Sequence, residues 1–211
     1  MIQKIFSESL PLKTAQLVKL LQEKRPSFLN HFYLSGGTAL ALQLNHRESI
    51  DLDFFSPQDF DPIQIQSQLE VFGKLSSLEV SENTLNTFLK GAQLQFLGYP
   101  YPLLKPAIDW QGIKVSSIID IACTKLQTIS QRGSKKDFID FYFLLQSHSL
   151  EELFKQMAKK YKGADYNEVH LLKSLSYFAD ADLQPMPKMR QKVSWEEIKK
   201  EVTNKVKELS T

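Results

Sequence analysis

The chain has 211 residues, 42% of them apolar and 24% charged, a balance that excludes low-complexity, collagen-like and wholly disordered proteins. A formal net charge of +2 gives no chain-wide signal for nucleic acid or membrane, although 8 basic and 10 acidic residues in 1–104 face 18 and 14 in 105–211. The single cysteine, Cys123, excludes an intramolecular disulfide and a cysteine-rich metal centre.

Met1 to Glu8 hold no apolar signal-peptide core, and no uncharged apolar run approaches the ~20 residues that span a bilayer. The sequence therefore predicts a soluble, cytoplasmic protein with no membrane partner. Pro11 and the apolar spacing of Leu12, Ala15, Leu17, Val18, Leu20 and Leu21 predict a helix over 12–24. Phe32 to Leu34 read as a short strand stopped by Ser35-Gly36-Gly37, and Thr38 to Leu44 as a helix of small and apolar residues. Ile50 to Phe55 alternate as a strand, with Ile50, Leu52 and Phe54 on one face and Asp51 and Asp53 on the other. Asp61-Pro62 is a cap and first-turn signal for a helix over 63–74. Strands are predicted at 78–80, 87–89 and 94–96, with Lys90-Gly91 as a turn. Pro100, Pro102 and Pro106 mark an extended connection before a strand at Ile113-Lys114-Val115. Everything after Ser116 is helical in period, over about 117–131, 136–147, 150–162, 166–179 and 195–209. The fold class is α/β (α+β): a mixed-sheet lobe over 1–115, then a helical lobe over 116–211.

The chemistry concentrates in Ser35-Gly36-Gly37-Thr38 and Asp51-Leu52-Asp53. Two glycines after a strand let the backbone turn and approach a ligand, and a helix starting there aims free N–H groups at an anion such as a triphosphate. Carboxylates at i and i+2 of a strand point the same way and suit Mg²⁺, a hard cation that prefers carboxylate and phosphate oxygens. A glycine pair is usually only a turn, and an Asp-x-Asp is often a solvated sheet face. Their order, strand, Gly-Gly, small helix, strand with Asp-x-Asp, is far more specific.

The runs Leu34-Ser35-Gly36-Gly37-Thr38-Ala39-Leu40-Ala41-Leu42 and His46-Arg47-Glu48-Ser49-Ile50-Asp51-Leu52-Asp53-Phe54-Phe55 resemble the signature of the AbiEii-type nucleotidyltransferase toxins. That family lies within the polymerase-β-like nucleotidyltransferase superfamily. The resemblance continues through Lys125, Arg132 and Lys136-Asp137-Phe138-Ile139-Asp140-Phe141, and more weakly through 181–187 and the Trp195 helix. It implies a nucleotidyltransferase-fold lobe in which Ser35, Gly36, Gly37 and Thr38 cradle NTP phosphates and Asp51 and Asp53 bind Mg²⁺. Arg47 and Ser49 would brace the strand or touch phosphate, and Lys125 and Arg132 would bind nucleotide. The same resemblance implies transfer of an NMP to an acceptor hydroxyl, with RNA such as a tRNA 3′ end as acceptor. The setting would be an abortive-infection or type IV toxin–antitoxin system with a cognate antitoxin. Modification of a small molecule or a protein, and a non-catalytic nucleotide- or partner-binding module, are the alternatives.

One departure concerns the third carboxylate that many superfamily members place on a neighbouring strand, where this chain has Gln95. An amide cannot act as a base near neutral pH. Asp137 is the implied substitute; its plainer role, shared with Asp140, is a first-turn carboxylate paired with Arg132 or Lys136. Lys125, amid Ile121, Ala122, Leu126 and Ile129, either snorkels from the core edge or reaches a cleft. His31, His46, His148 and His170 lack metal-ligand spacing and read as solvated or capping, and Cys123 reads as a core thiol. Lys159-Lys160-Tyr161-Lys162 reads as a solvated helix end rather than an RNA contact.

Overall fold

A computed structural model describes residues 4–164 and 167–210. Nine α-helices, two short 3-10 helices (Ser7–Ser9 and Ser27–His31) and seven strands occur among the described residues. After α1 (Leu12–Lys24) come β1 (Tyr33–Ser35), α2 (Gly36–Leu44), β2 (Leu52–Ser56) and α3 (Pro62–Glu70). Five strands follow, β3 (Leu75–Ser81), β4 (Thr84–Leu89), β5 (Ala92–Gly98), β6 (Ile108–Trp110) and β7 (Ile113–Val115). The remaining elements are helices: α4 (Ile118–Gln131), α5 (Lys135–Leu145), α6 (Leu150–Lys160), α7 (Glu168–Leu175), α8 (Ala179–Asp182) and α9 (Trp195–Ser210). The expected start of a helix at 166 and the reading of Met1 to Gln3 lie outside the described residues. No described helix is long and apolar enough to cross a membrane.

All seven strands form one mixed sheet in the order β3-β4-β5-β2-β1-β7-β6. β2 runs parallel to β5 and β1 parallel to β7, while the other pairs are antiparallel. One face is apolar: Phe54, Phe96 and Leu85 stand in one row, Leu52 and Leu94 in another, and all five are at most 1% exposed. On that side α1 packs on β5 and α3 on β3 and β4. Phe96 is stacked on Phe54 and meets the edges of Phe28 and Phe32. The opposite face carries a polar row, in which Ser35 pairs with Asp53, Asp53 with Gln95, Gln95 with Asn86 and Asn86 with Glu79.

Three expectations are corrected. β2 starts at Leu52 rather than Ile50, whose side chain is 51% exposed. The Thr38 hydroxyl instead hydrogen-bonds the Asp51 carbonyl, tying Asp51 to α2 just before the strand. β6, within the stretch that the three prolines mark as a connection, forms because Trp110 and Ile113 close a hairpin with Gln111-Gly112 at positive φ. The basic run near 160 is a solvated end only in part: Lys159 and Lys162 are exposed, but Lys160 and Tyr161 are not. Lys160 is 2% exposed and its Nζ lies 2.8 Å from Asp120 Oδ1, while Tyr161 is equally buried. Asp120 also accepts from the backbone N–H of Leu104, so this ion pair pins α4, α6 and the proline-rich connection together.

A strap from the far end of the chain closes over the loop after α2. Met189 bridges Arg47, the N–H groups of Arg190 and Gln191 donate to the His46 carbonyl, and the Glu48 N–H donates to the Lys188 carbonyl. The Arg190 guanidinium adds a bond to the Asn45 amide oxygen at 2.6 Å.

Candidate active site

α2 begins directly at the glycine pair, and Ser35 before it makes no side-chain cap. The first-turn N–H groups are thus left for an external acceptor. Gly36 has φ +66°, and a Cβ there would run into Asp53 Oδ2. A Cβ on Gly37 would meet the Arg47 guanidinium, with Asp140 Oδ2 at 3.4 Å. The glycines therefore let two charged side chains approach the turn, as well as freeing its backbone.

A cavity of about 350 Å³ opens beside this turn, at the small end of ligand pockets. Of the expected residues, Gly37, Arg47, Ser49, Asp51, Asp53, Lys125, Arg132 and Asp137 line it. Ser35, Gly36 and Thr38 stand behind it. The Ser35 hydroxyl is bonded to Ser116 at 2.9 Å, and the Thr38 and Ser49 hydroxyls share a bond of 2.8 Å, so these side chains brace the frame.

Behind the cavity lies a dense ion network. Asp140, 0% exposed, takes a two-pronged contact from Arg47, with Nε to Oδ1 at 2.6 Å and Nη2 to Oδ2 at 2.9 Å. His46 Nε2 lies 2.8 Å from Oδ1, and Lys125 Nζ 2.6 Å from Oδ2. The Lys125 ammonium also holds Asp137 at 2.8 Å, and Asp137 accepts from the Ser134 hydroxyl at 2.6 Å. Arg132 Nε is 3.5 Å from Asp137, but its side chain is 72% exposed. Burial alone would raise both carboxyls; the Arg47 and Lys125 cations outweigh it at Asp140 and hold that group well below the usual carboxylate range. Asp137 is likewise lowered, by Lys125 and Ser134 against burial. Burial would lower Lys125 and Arg47, yet their carboxylate partners leave both raised.

The aspartate pair is electrostatically different. Burial and the neighbouring Asp51 push Asp53 up to about 6. The buried Oδ1 of Asp51 has no hydrogen-bond partner among the described residues. An orphaned carboxylate oxygen beside a carboxylate resisting ionisation fits a missing hard cation. No described group of three His, Cys, Asp or Glu side chains is placed to hold a metal by itself, so phosphate oxygens or water would have to complete the shell. The amide of Gln95 pairs beside Asp53, where a third acid would stand.

Sequence reasoning missed part of this. His46, read as solvated or capping, is 0% exposed and bonded to Asp140, so that reading is overturned. Asp140 pairs with Arg47, His46 and Lys125 rather than with Arg132 or Lys136. Lys136, exposed, and Gln184, which accepts from the Lys135 N–H, complete the cavity mouth. Cys123 is the expected core thiol, fully buried and pushed up to about 12 by burial.

Comparison with known proteins fits this geometry. A protein of Aquifex aeolicus (strain VF5), itself uncharacterised, is 40% identical over 191 residues, covering 85% of this chain and 88% of its own. Among solved structures, the nucleotidyltransferase toxin MenT4 of Mycobacterium tuberculosis H37Rv superposes with a TM-score of 0.60 at 16% identity, over 95% of this chain and 86% of its own. JHP933 of Helicobacter pylori gives 0.55 at 18%, over 95% and 93%. At such identities these two likenesses speak for the nucleotidyltransferase fold alone. The sequence model described as nucleotidyl transferase AbiEii toxin, type IV TA system, matches residues 19–208. With nine-tenths of its length matched and the glycine turn facing the aspartate pair, the chain belongs to the AbiEii nucleotidyltransferase toxin family.

Proposed function

We propose that the protein transfers an NMP from an NTP to an acceptor hydroxyl of RNA, such as a tRNA 3′ end, with Mg²⁺ required, as the toxin of a type IV pair with a cognate antitoxin. The observation that carries this reading is the Asp51 and Asp53 pair beside the uncapped start of α2, with Asp51 Oδ1 unpartnered among the described residues and Asp53 pushed up to about 6 by burial and by Asp51. In the reaction the acceptor oxygen bonds to the α-phosphorus, the bond from that phosphorus to the pyrophosphate oxygen breaks, and the acceptor proton leaves to solvent or a nearby base. Bound Mg²⁺ would supply charge neutralisation at the phosphates, held by Asp51 and Asp53. The α2 N-terminus then orients the phosphates, and Arg132 and Lys136 stand at the mouth as exposed cations. Asp137, held as an anion by Lys125, accepts hydrogen bonds better than it accepts a proton. In this reading the helices of 116–211 form the lobe that closes the cleft over the lobe of 1–115.

The test is transfer of label from an α-labelled NTP to total tRNA. Asp51→Asn is expected to lower the rate about a hundredfold or more, and chelation of Mg²⁺ to do the same. Wild-type rates in the Asp51→Asn protein would remove the metal assignment. A second expectation concerns Gly37→Val. Its branched side chain meets Arg47 as well as the phosphate path, so NTP affinity and melting temperature should fall together. Calorimetry showing unchanged NTP affinity in the folded variant would reduce the glycine turn to a frame element.

A further inference from the structure

The polar row on the open face of the sheet leads out of the active site. Asp53 in β2 stands beside Gln95 in β5, Gln95 beside Asn86 in β4, and Asn86 beside Glu79 in β3. One row away, Gln93 pairs with Phe88, level with the point where Asp51 enters β2 ahead of the Leu52–Leu94 pair. At a strand spacing of about 4.8 Å, the path from Asp53 to Glu79 runs roughly 14 Å.

Three side-chain amides thus lie together, partly exposed, and they are poorly used by the protein. Gln93 and Gln95 show no side-chain hydrogen bond among the described residues, and the buried Oδ1 of Asn86 has no partner. The Asn86 amide nitrogen reaches only Glu79, at 3.4 Å. Beside them on the same open face Phe88 is 36% exposed, while Leu85 and Leu89 of its strand turn to the core face and are fully buried. At that end of the hairpin, past the Leu75–Leu89 pair, Lys74 and Lys90 are exposed, with Lys90 Nζ folded towards Gly73.

Unpaired amides donate and accept without charge, an aromatic face stacks on any base, and lysines meet phosphate. That set suits unpaired nucleobases on a phosphate backbone. A polycationic small acceptor would want carboxylates, and the path offers one, Glu79, at its far end. We infer that the strip of Gln93, Gln95, Asn86 and Phe88 seats the unpaired terminal nucleotides of an RNA acceptor, delivering its end hydroxyl to Asp51 and Asp53. This rests on the nucleotidyl-transfer reading and adds to it where the acceptor lies and in what form.

The test uses a short oligoribonucleotide with an unpaired 3′ end, labelled at its 5′ end with fluorescein and titrated with the full-length protein. Phe88→Ala and the double variant Gln93→Ala/Gln95→Ala are each expected to raise the RNA Kd about tenfold, the lower range of losing one stacked base. Phe88→Tyr should restore it. Calorimetric affinity for Mg²⁺-NTP should change by less than about twofold in the two Phe88 variants. A blunt duplex of the same sequence should bind at least about tenfold more weakly than the single strand. Equal RNA affinity in wild type and Phe88→Ala, or equal affinity for duplex and single strand, would overturn the inference. Label transfer that depends on Asp51 but goes only to a protein or a small molecule would also overturn it, while leaving nucleotidyl transfer standing. Loss of the transfer reading itself would show separately, as activity that survives Asp51→Asn.

Discussion

Asp140→Asn is expected to lower the melting temperature by about 10 °C. The substitution keeps the shape of the side chain but removes the one carboxylate that Arg47, His46 and Lys125 share, all of them buried. Breaking a buried ion pair by deleting one partner costs about 3–5 kcal/mol, because the remaining charge stays desolvated. For a chain of this size each kcal/mol moves the midpoint about 2–4 °C. Lys125→Met should cost a similar amount, because Asp137 then keeps only Ser134 and the exposed Arg132, and Asp140 keeps only Arg47 and His46. This departs from what the sequence suggests, since a charge change at a surface or cleft residue usually costs about 0.5 kcal/mol or less. The double variant should lose less than the two single losses combined, because the pair is removed whole. Thermal unfolding followed by circular dichroism decides the matter; midpoints within about 2 °C of wild type would show that the network contributes little to stability.

Asp53→Asn should do the opposite, stabilising the fold while abolishing transfer. Asp53 titrates near 6 when folded against an ordinary 3.8, so ionising it in place costs up to about 3 kcal/mol at neutral pH. The sign follows from proton linkage: the folded state holds this proton more tightly, so its contribution weakens as pH rises from about 4 to about 6. His46 works the other way. Burial lowers it from its ordinary 6.5, so its contribution is intact above that value and is lost as pH falls below it. The advantage of Asp53→Asn over wild type should therefore be greatest above pH 6 and vanish near pH 4. Urea midpoints at several pH values measure it, and an advantage independent of pH would mean that Asp53 is not strained by its site. Removing its carboxylate beside Asp51 should still lower transfer about a hundredfold or more.

What could be read in the sequence was whatever its own neighbours determine. The glycine turn, the aspartate spacing and the amphipathic helices after Ser116 are local patterns, and the structure contains each of them. The partner of Asp140 is not local: Arg47 lies 93 positions away, and four nearby cations compete for it on paper. His46 has the same difficulty, because nothing beside it in sequence announces full burial. The polar row is a third case. Gln95 was legible as an amide where an acid is common, but its alignment with Asp53 and Asn86 depends on strand order, and β2 joins β5 across two intervening strands in the chain.

The strap of Lys188 to Gln191 gives the site a direction in time. Ribosomes build the chain from its N-terminus, so both aspartates and the glycine turn emerge long before the residues that hold the His46–Arg47 loop. A chain short of residue 191 holds both partners of the Arg47–Asp140 contact but lacks the hydrogen bonds from Lys188 to Gln191 that hold the backbone on either side of Arg47. The loop beside the glycine turn therefore gains its last backbone support only once residues 188–191, about 145 positions further along the chain, have been made.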